Sequence, residues 1–232
     1  PDHPALIVPT LGTPFKGAID SIDGIRAQLK GREAFIHLDA ALFGGYLPHT
    51  RFAGELKRMT APDGTGQSEP RYDSLAVSCH KFFGFLTSQR LFDEFQAAFA
   101  KVHSPEYIHH VPGTITCSRD AVKPAEFLFF CSETAFARQA GDAREILENT
   151  DYLMRELQSR FAELEPRRAS DRSNTVYFRQ PGDAVVERFS LATMELDLNG
   201  KKAPHAHVVV MPHAKRAILD RFLEDLAADL RK

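Results

Sequence analysis

Short apolar runs alternate with amphipathic segments in the first part of the chain. The runs are rich in β-branched or aromatic residues and have the length of mostly buried strands, and they cover residues 5–11, 34–40, 74–80 and 84–88. Between the first two runs, four apolar residues recur at helical spacing before Gly31, namely Ile19, Ile22, Ile25 and Leu29. A second amphipathic helix is predicted over residues 89–102. This alternation predicts an α/β fold with a largely parallel sheet and helices on its faces.

The pattern changes after Gly141. Residues 142–164 predict a long amphipathic helix, whose apolar stripe contains Ile146, Tyr152 or Leu153, Leu157 and Phe161. Shorter strands are predicted over residues 175–180, 188–193 and 207–211, and a C-terminal helix follows Pro212. We therefore expect a large α/β domain over residues 1–141 and a smaller α+β domain over residues 142–232.

Composition limits the kinds of partner. The 232 residues are 43% apolar and 26% charged, and the formal net charge of -2 gives no reason to expect nucleic acid or an anionic membrane as a partner. No apolar run is long enough to span a bilayer, and no signal-peptide pattern opens the chain. The three cysteines are too few and too scattered for a disulfide framework or a zinc site. We therefore expect a reduced, cytoplasmic setting.

Candidate chemistry lies at the ends of two predicted strands. Asp39 ends one strand, while His80 and Lys81 end the next, after a crossover of about thirty residues. Functional groups of open parallel sheets collect at the carboxyl ends of the strands. Taken alone, a strand-end Asp is usually a cap and a Lys after a strand is usually a solvated flank. The spacing therefore indicates a shared site and does not name a reaction.

Several motifs occur together in a recognisable order. The segments HLDAALFGG, SLAVSCHKFFG and GTITCSRDA resemble those of the group II pyridoxal-phosphate-dependent amino-acid decarboxylases, above all the bacterial histidine decarboxylases and the plant serine decarboxylases. The similarity extends to LGTPFKGAIDSID, SNTVYFRQP and HAHVVVMPH, so it spans nearly the whole chain. It implies fold type I, the fold of aspartate aminotransferase. Residues 1–141 would then be the C-terminal part of the large cofactor-binding domain.

The resemblance also implies roles for five residues. Lys81 would hold pyridoxal 5′-phosphate covalently, since an amine in an apolar, partly desolvated setting loses its preference for the charged form and can attack a carbonyl. Asp39 would pair with the pyridine nitrogen, an interaction on the order of 4 kcal/mol before desolvation. Ala41 would let the ring lie against the strand. His80 would contact the phosphate or the ring edge, and Ser78 would bind the phosphate.

Three further assignments follow from the resemblance alone. Tyr107 lies where the family has a mobile catalytic loop, and there it would return a proton to the reacting carbon after decarboxylation; packing at the base of a loop is the alternative. Ser118 would reach the phosphate of a neighbouring subunit. Asp20 matches an aspartate at the edge of the active site, or is a solvated residue at the start of its helix.

The chain departs from the family pattern at two positions. Pro14 replaces the second threonine of a Gly-Thr-Thr sequence, which removes one hydroxyl, and Cys79 stands where close relatives carry glycine. We interpret Cys79 as a packing residue rather than a second nucleophile. The histidines at 109–110 and at 205 and 207 lack third and fourth ligands, so we expect packing roles and no metal site.

The predicted activity is that of a carboxy-lyase, which converts an L-amino acid, histidine as first guess, into the corresponding amine and CO2. The N-terminal part that supplies the phosphate cradle in these enzymes has no counterpart in the sequence, so we expect a missing N-terminal portion or a companion chain, and a poorly covered sheet face. A homodimer or heteromer with the active site at the interface is expected. The alternatives are a non-catalytic decarboxylase-like module that stabilises a partner, and an aminotransferase or carbon–carbon lyase of the same fold.

Overall fold

The first sheet consists of three parallel strands. A computed structural model describes residues 3–57, 72–83 and 122–231, and in it β1 (Ala5–Ile7), β2 (Ala34–Asp39) and β3 (Ser74–Ala76) form a sheet in the order β1-β2-β3. β2 pairs in parallel with both neighbours. The predicted parallel α/β arrangement is therefore confirmed. β1 and β3 are shorter than predicted, because residues after Ile7 pair with β2 only at Thr10 and the chain turns after Ala76.

Helix α1 (Ile22–Leu29) lies between β1 and β2, as its apolar spacing predicts. It begins at Ile22, where the hydroxyl of Ser21 accepts a hydrogen bond from the N–H of Gly24 at 3.0 Å. It ends where Lys30 adopts a left-handed conformation just before Gly31. Ile19 lies outside the helix and forms a bridge with Leu11.

Beneath the sheet, three short elements build the first hydrophobic core. They are α2 (Phe43–Tyr46), a 3-10 turn (Leu47–His49) and α3 (Gly54–Lys57). Phe43, Tyr46 and Leu47 are fully buried there together with Leu38 and Ala40 of β2 and its end. This core covers the face of β2 opposite to the one that carries the Asp39 side chain.

The long helix begins earlier than the sequence pattern predicts. Helix α4 (Val122–Phe130) is followed by α5 (Glu133–Arg160), which starts at 133 rather than 142 because Ser132 caps it. Leu153, and not Tyr152, occupies the buried stripe. A helix of 28 residues is about 42 Å long. Its first half packs against the first core and its second half against a second core, so it crosses the expected domain boundary.

The second sheet is antiparallel, with β4 (Thr175–Arg179), β5 (Ala192–Leu198) and β6 (Lys201–Val209) in the order β4-β6-β5. Helix α7 (Arg216–Asp229) packs on it through Leu219, Phe222, Leu223 and Leu226. The predicted C-terminal helix is confirmed.

The strand predicted over residues 188–193 is wrong. Arg188 ends a helix, α6 (Asp183–Arg188), and β5 begins only at Ala192. β5 and β6 form a hairpin around Asn199 and Gly200, which both have positive φ. An Asn-Gly pair is a strong signal for such a turn, and it marks a strand on each side.

Several predicted features lie outside the described residues. They are the strand 84–88, the helix 89–102, Tyr107 and Ser118. Across residues 3–57, 72–83 and 122–231, no helix combines the length and the apolar character that a membrane crossing requires.

Candidate active site

Asp39 stands at the carboxyl end of the central strand, opposite Ala76 of β3. Its own peptide is held from the other side by the segment after β1. The N–H of Asp39 donates to the carbonyl of Pro9 at 3.0 Å, and the N–H of Leu11 donates to the carbonyl of Asp39 at 2.7 Å. The position of Asp39 is therefore set by β3 on one side and by residues 9–11 on the other.

The turn that carries Lys81 folds back onto this strand end. The N–H of Ser78 donates to the carbonyl of Ala41 at 2.9 Å, and the N–H of Lys81 donates to the carbonyl of Ser78 at 3.2 Å. Lys81 and Ser78 are half-buried, and His80 is exposed. The backbone thus brings the Lys81 turn against the two residues that follow Asp39.

Two glycines beneath this turn allow the close approach. A Cβ at Gly44 would lie 2.6 Å from Cγ2 of Val77, and a Cβ at Gly45 would lie 2.6 Å from the Cβ of Phe82. Phe82, next to Lys81 in the chain, is buried at 5% exposure. Any side chain at 44 or 45 would push the Lys81 turn away from the core.

The carboxylate of Asp39 lies on the side of the sheet that is turned away from the first core. Along β2, Ile36 and Leu38 are buried while His37 and Asp39 are half-buried, which is the alternation of a strand with one covered face. Oδ1 of Asp39 accepts a hydrogen bond from the N–H of Ala41 at 3.1 Å. The ring of His37 is bonded to the hydroxyl of Ser74 at 2.7 Å.

Large apolar side chains are exposed on this same face. Phe35 is 50% exposed, its register partner Leu6 is 73% exposed, and Val8, which follows β1, is 55% exposed. Exposed apolar groups that lie side by side are typical of binding surfaces.

The side chains of Asp20 and Thr13 each accept a hydrogen bond from a nearby backbone N–H group. Oδ2 of Asp20 accepts from the N–H of Thr10 at 2.8 Å, and the hydroxyl of Thr13 accepts from the N–H of Ala18 at 2.9 Å. Asp20 also borders a cavity of about 390 Å³ that Arg172 lines as well. Asp39 and Lys81 do not line that cavity.

Two titratable side chains lie in or beside the first core: Tyr46 is fully buried in it, and His49 is half-buried at its edge. Burial raises the pKa of Tyr46 well above its ordinary value, and its hydroxyl donates to the carbonyl of Arg172 at 2.7 Å. Burial lowers the pKa of His49, whose ring meets Phe136 edge-on at 4.5 Å. Both groups therefore favour their neutral forms, which suits an apolar support for the Lys81 turn.

The known proteins that this chain resembles in sequence and in fold include several amino-acid decarboxylases. No protein-family model matches the chain. A histidine decarboxylase of Solanum lycopersicum is 32% identical over 97% of this chain and 51% of its own length, and serine decarboxylase 2 of Oryza sativa subsp. japonica is 29% identical over 97% and 45%. The crystal structure of L-methionine decarboxylase from Streptomyces sp. 590 matches with a TM-score of 0.71 and 25% identity, over 98% of this chain and 54% of that chain. The chain thus spans about half the length of the curated relatives it matches.

The architecture and these matches define a fold type I pyridoxal-phosphate enzyme fold. Within that class, the chain is related to the group II amino-acid decarboxylases, as the sequence motifs predict. This relationship implies pyridoxal 5′-phosphate as the cofactor. The residues at the strand ends fit it, because an amine, a carboxylate and the small Ala41 are what an aldehyde, a pyridine nitrogen and a flat ring require.

The sequence motifs miss the supporting residues of this site. Gly44 and Gly45 stand in the quoted motif, yet their contact with Val77 and Phe82 is visible only in the fold. Two adjacent glycines inside an apolar run are the signal that a neighbouring segment approaches closely. The roles of Lys81 and Asp39 toward a cofactor stay predictions.

Proposed function

We propose that this chain carries the lysine-bearing part of the active site of a pyridoxal-phosphate-dependent amino-acid decarboxylase. The reaction would release CO2 from an L-amino acid and leave the corresponding amine. The observation that supports the proposal is the hydrogen bond from Ser78 to Ala41, which folds the Lys81 turn onto the strand end that carries Asp39. Relatives named histidine, serine and methionine decarboxylases support the reaction type.

Each residue at the strand ends has a proposed task. Lys81 holds the cofactor through its amine, and Asp39 faces the pyridine nitrogen. Ala41 leaves room for the ring, while Ser78 and His80 bind the phosphate or the ring edge. Bound there, pyridoxal phosphate supplies the electron sink that stabilises the charge left on the substrate when CO2 departs.

Asp39 is well suited to this task because it is held firmly. Its carboxylate accepts a backbone hydrogen bond from Ala41, and its peptide is bonded to Pro9 and Leu11. A charge that is oriented in advance does not need to reorganise when it meets the cofactor.

The open face around Phe35 and Leu6 supports a second part of the proposal. Further polypeptide, from the rest of the same protein, a companion chain or a second copy, covers this face and completes the cofactor and substrate pocket. The exposed apolar groups beside Asp39 are the surface that it would bury.

The proposal is tested by the absorbance band at about 420 nm that lysine-bound pyridoxal phosphate gives. The complete protein should show this band and lose it on borohydride reduction, and Lys81→Ala should lack both the band and CO2 release. Lys202→Ala, at an exposed lysine of β6, is the matched control and should behave like wild type. A band that persists in Lys81→Ala would refute the assignment.

The substrate is proposed to be histidine, with serine and aromatic amino acids next. Each proteinogenic amino acid should be incubated with the complete protein while CO2 and amine are measured. An oxo acid in place of CO2 would instead identify an aminotransferase.

A further inference from the structure

The segment between β1 and α1 forms a tight loop over residues 12–18. The N–H groups of Gly12 and Thr13 both donate to the carbonyl of Ala18, at 3.0 and 2.9 Å, and the N–H of Gly17 donates to the carbonyl of Thr13 at 2.9 Å. Gly12 and Gly17 have φ angles of 101° and 61°, which favour glycine. These bonds close the loop on itself, with Phe15 at its tip.

Phe15 is anchored in the second domain. It is only 8% exposed and packs with Tyr177 and Leu196 of the antiparallel sheet. Its ring stacks on the ring of His207 with centroids 4.5 Å apart and planes 22° apart. Nδ1 of His207 lies 2.8 Å from the carbonyl oxygen of Phe15, and because a carbonyl only accepts, this nitrogen carries the proton.

The base of the same loop is bonded to Asp39. The N–H of Leu11, immediately before the loop, donates to the carbonyl of Asp39, and the N–H of Asp39 donates to the carbonyl of Pro9. Asp20, just after the loop, is hydrogen-bonded to both backbone groups of Thr10: its carboxylate accepts from the N–H of Thr10, and its N–H donates to the carbonyl of Thr10. The loop therefore connects the His207 anchor directly to the strand end that carries the candidate carboxylate.

We infer that His207 is a positioning residue, which fixes Asp39 through the Phe15 loop. The antiparallel sheet supplies a rigid base, since β6 is paired on both sides by β4 and β5. Release of Phe15 removes the contact of the loop with the antiparallel sheet and leaves residues 9–11 held only by Asp39, Asp20 and the packing of Leu11 around the first core. The consequence for the cofactor rests on the proposed function, whereas the anchoring itself does not.

The test compares three variants of the complete protein. His207→Ala removes the stacking and the hydrogen bond, and His207→Phe keeps a stacking ring without the hydrogen bond. Val208→Ala is the control, because Val208 is the next residue of β6 and packs on the opposite face, against the second core. Hydrogen exchange at the amides of Leu11, Gly12 and Asp39, the dissociation constant of pyridoxal phosphate and the melting temperature are measured for each.

His207→Ala should accelerate exchange at these amides about tenfold and raise the pyridoxal-phosphate dissociation constant by a similar factor. His207→Phe should restore part of both effects. Val208→Ala should lower the melting temperature without either effect. Unchanged exchange in His207→Ala, or equal changes in Val208→Ala, would overturn the inference.

The exchange measurement also separates this inference from the proposed function. A wild-type protein that binds no pyridoxal phosphate overturns the proposed function. In that case faster exchange in His207→Ala still supports the anchor, and unchanged exchange overturns it. Unchanged cofactor affinity in a His207→Ala protein with faster exchange overturns the positioning role.

Discussion

Gly45 lies directly beneath Phe82, the residue that follows Lys81, and a Cβ at position 45 would stand 2.6 Å from the Cβ of Phe82. The position of Lys81 is thus set by the contact between Gly45 of α2 and Phe82, the next residue in the chain. A glycine is needed because the Phe82 side chain leaves no room for a Cβ at position 45.

Gly45→Ala should therefore displace the Lys81 turn. We expect a loss of about 1–3 kcal/mol in the free energy of unfolding and weaker cofactor binding. Urea unfolding and cofactor titration measure the two effects. Gly141→Ala is the matched control: Gly141 lies inside α5 with no atom near its missing Cβ, so alanine there should stabilise by about 0.5–1 kcal/mol. Equal effects of the two substitutions would contradict the close contact.

Asp39→Asn removes a charge and keeps the shape. Asparagine can still accept the hydrogen bond from Ala41, so the melting temperature should stay within about 2 °C of wild type. CO2 release should fall at least about a hundredfold, because the partner of the pyridine nitrogen is lost. Asp197→Asn, in β5, serves as the control and should retain activity. Undiminished CO2 release in Asp39→Asn would exclude the proposed role.

His49 predicts a pH dependence of stability. Burial lowers its folded-state pKa below the ordinary 6.5, so the unfolded chain takes up the proton first as the pH falls. The stabilisation is complete above 6.5 and is lost as the pH falls from there to the lower folded-state pKa. His49→Phe retains an aromatic ring against Phe136 and cannot titrate. Urea unfolding between about pH 7.5 and about pH 5 should show a steeper loss in wild type than in this variant; parallel curves would refute the prediction.

Phe35→Asp tests the covering of the open sheet face. If further polypeptide buries this face, the new charge is desolvated without a partner and should cost several kcal/mol, on the order of 3, in the complete protein. Ile218→Asp, at an apolar residue of α7 that is 46% exposed, should change the melting temperature little. Similar melting temperatures for the two variants would show that the face around Phe35 stays in water.

Local sequence patterns were sufficient for several elements, although not for the ends of β1 and β3. Apolar runs and helical spacing predict β2, α1 and α7, and the order of the parallel strands predicts that Asp39 and the segment of Lys81 lie at the same edge of the sheet. These features depend on residues close together in the chain, whose periodicity is visible directly.

Only the tertiary structure decided which surfaces touch. The hydrogen bond from His207 to Phe15 joins residues 192 positions apart, and the contact of Gly45 with Phe82 depends on how the Lys81 turn packs against α2. The choice of Leu153 over Tyr152 was likewise settled by packing in the second core, whereas α5 begins early because of a local cap at Ser132. Periodicity reports which face of an element is apolar, whereas the partner of that face is fixed by close packing in three dimensions.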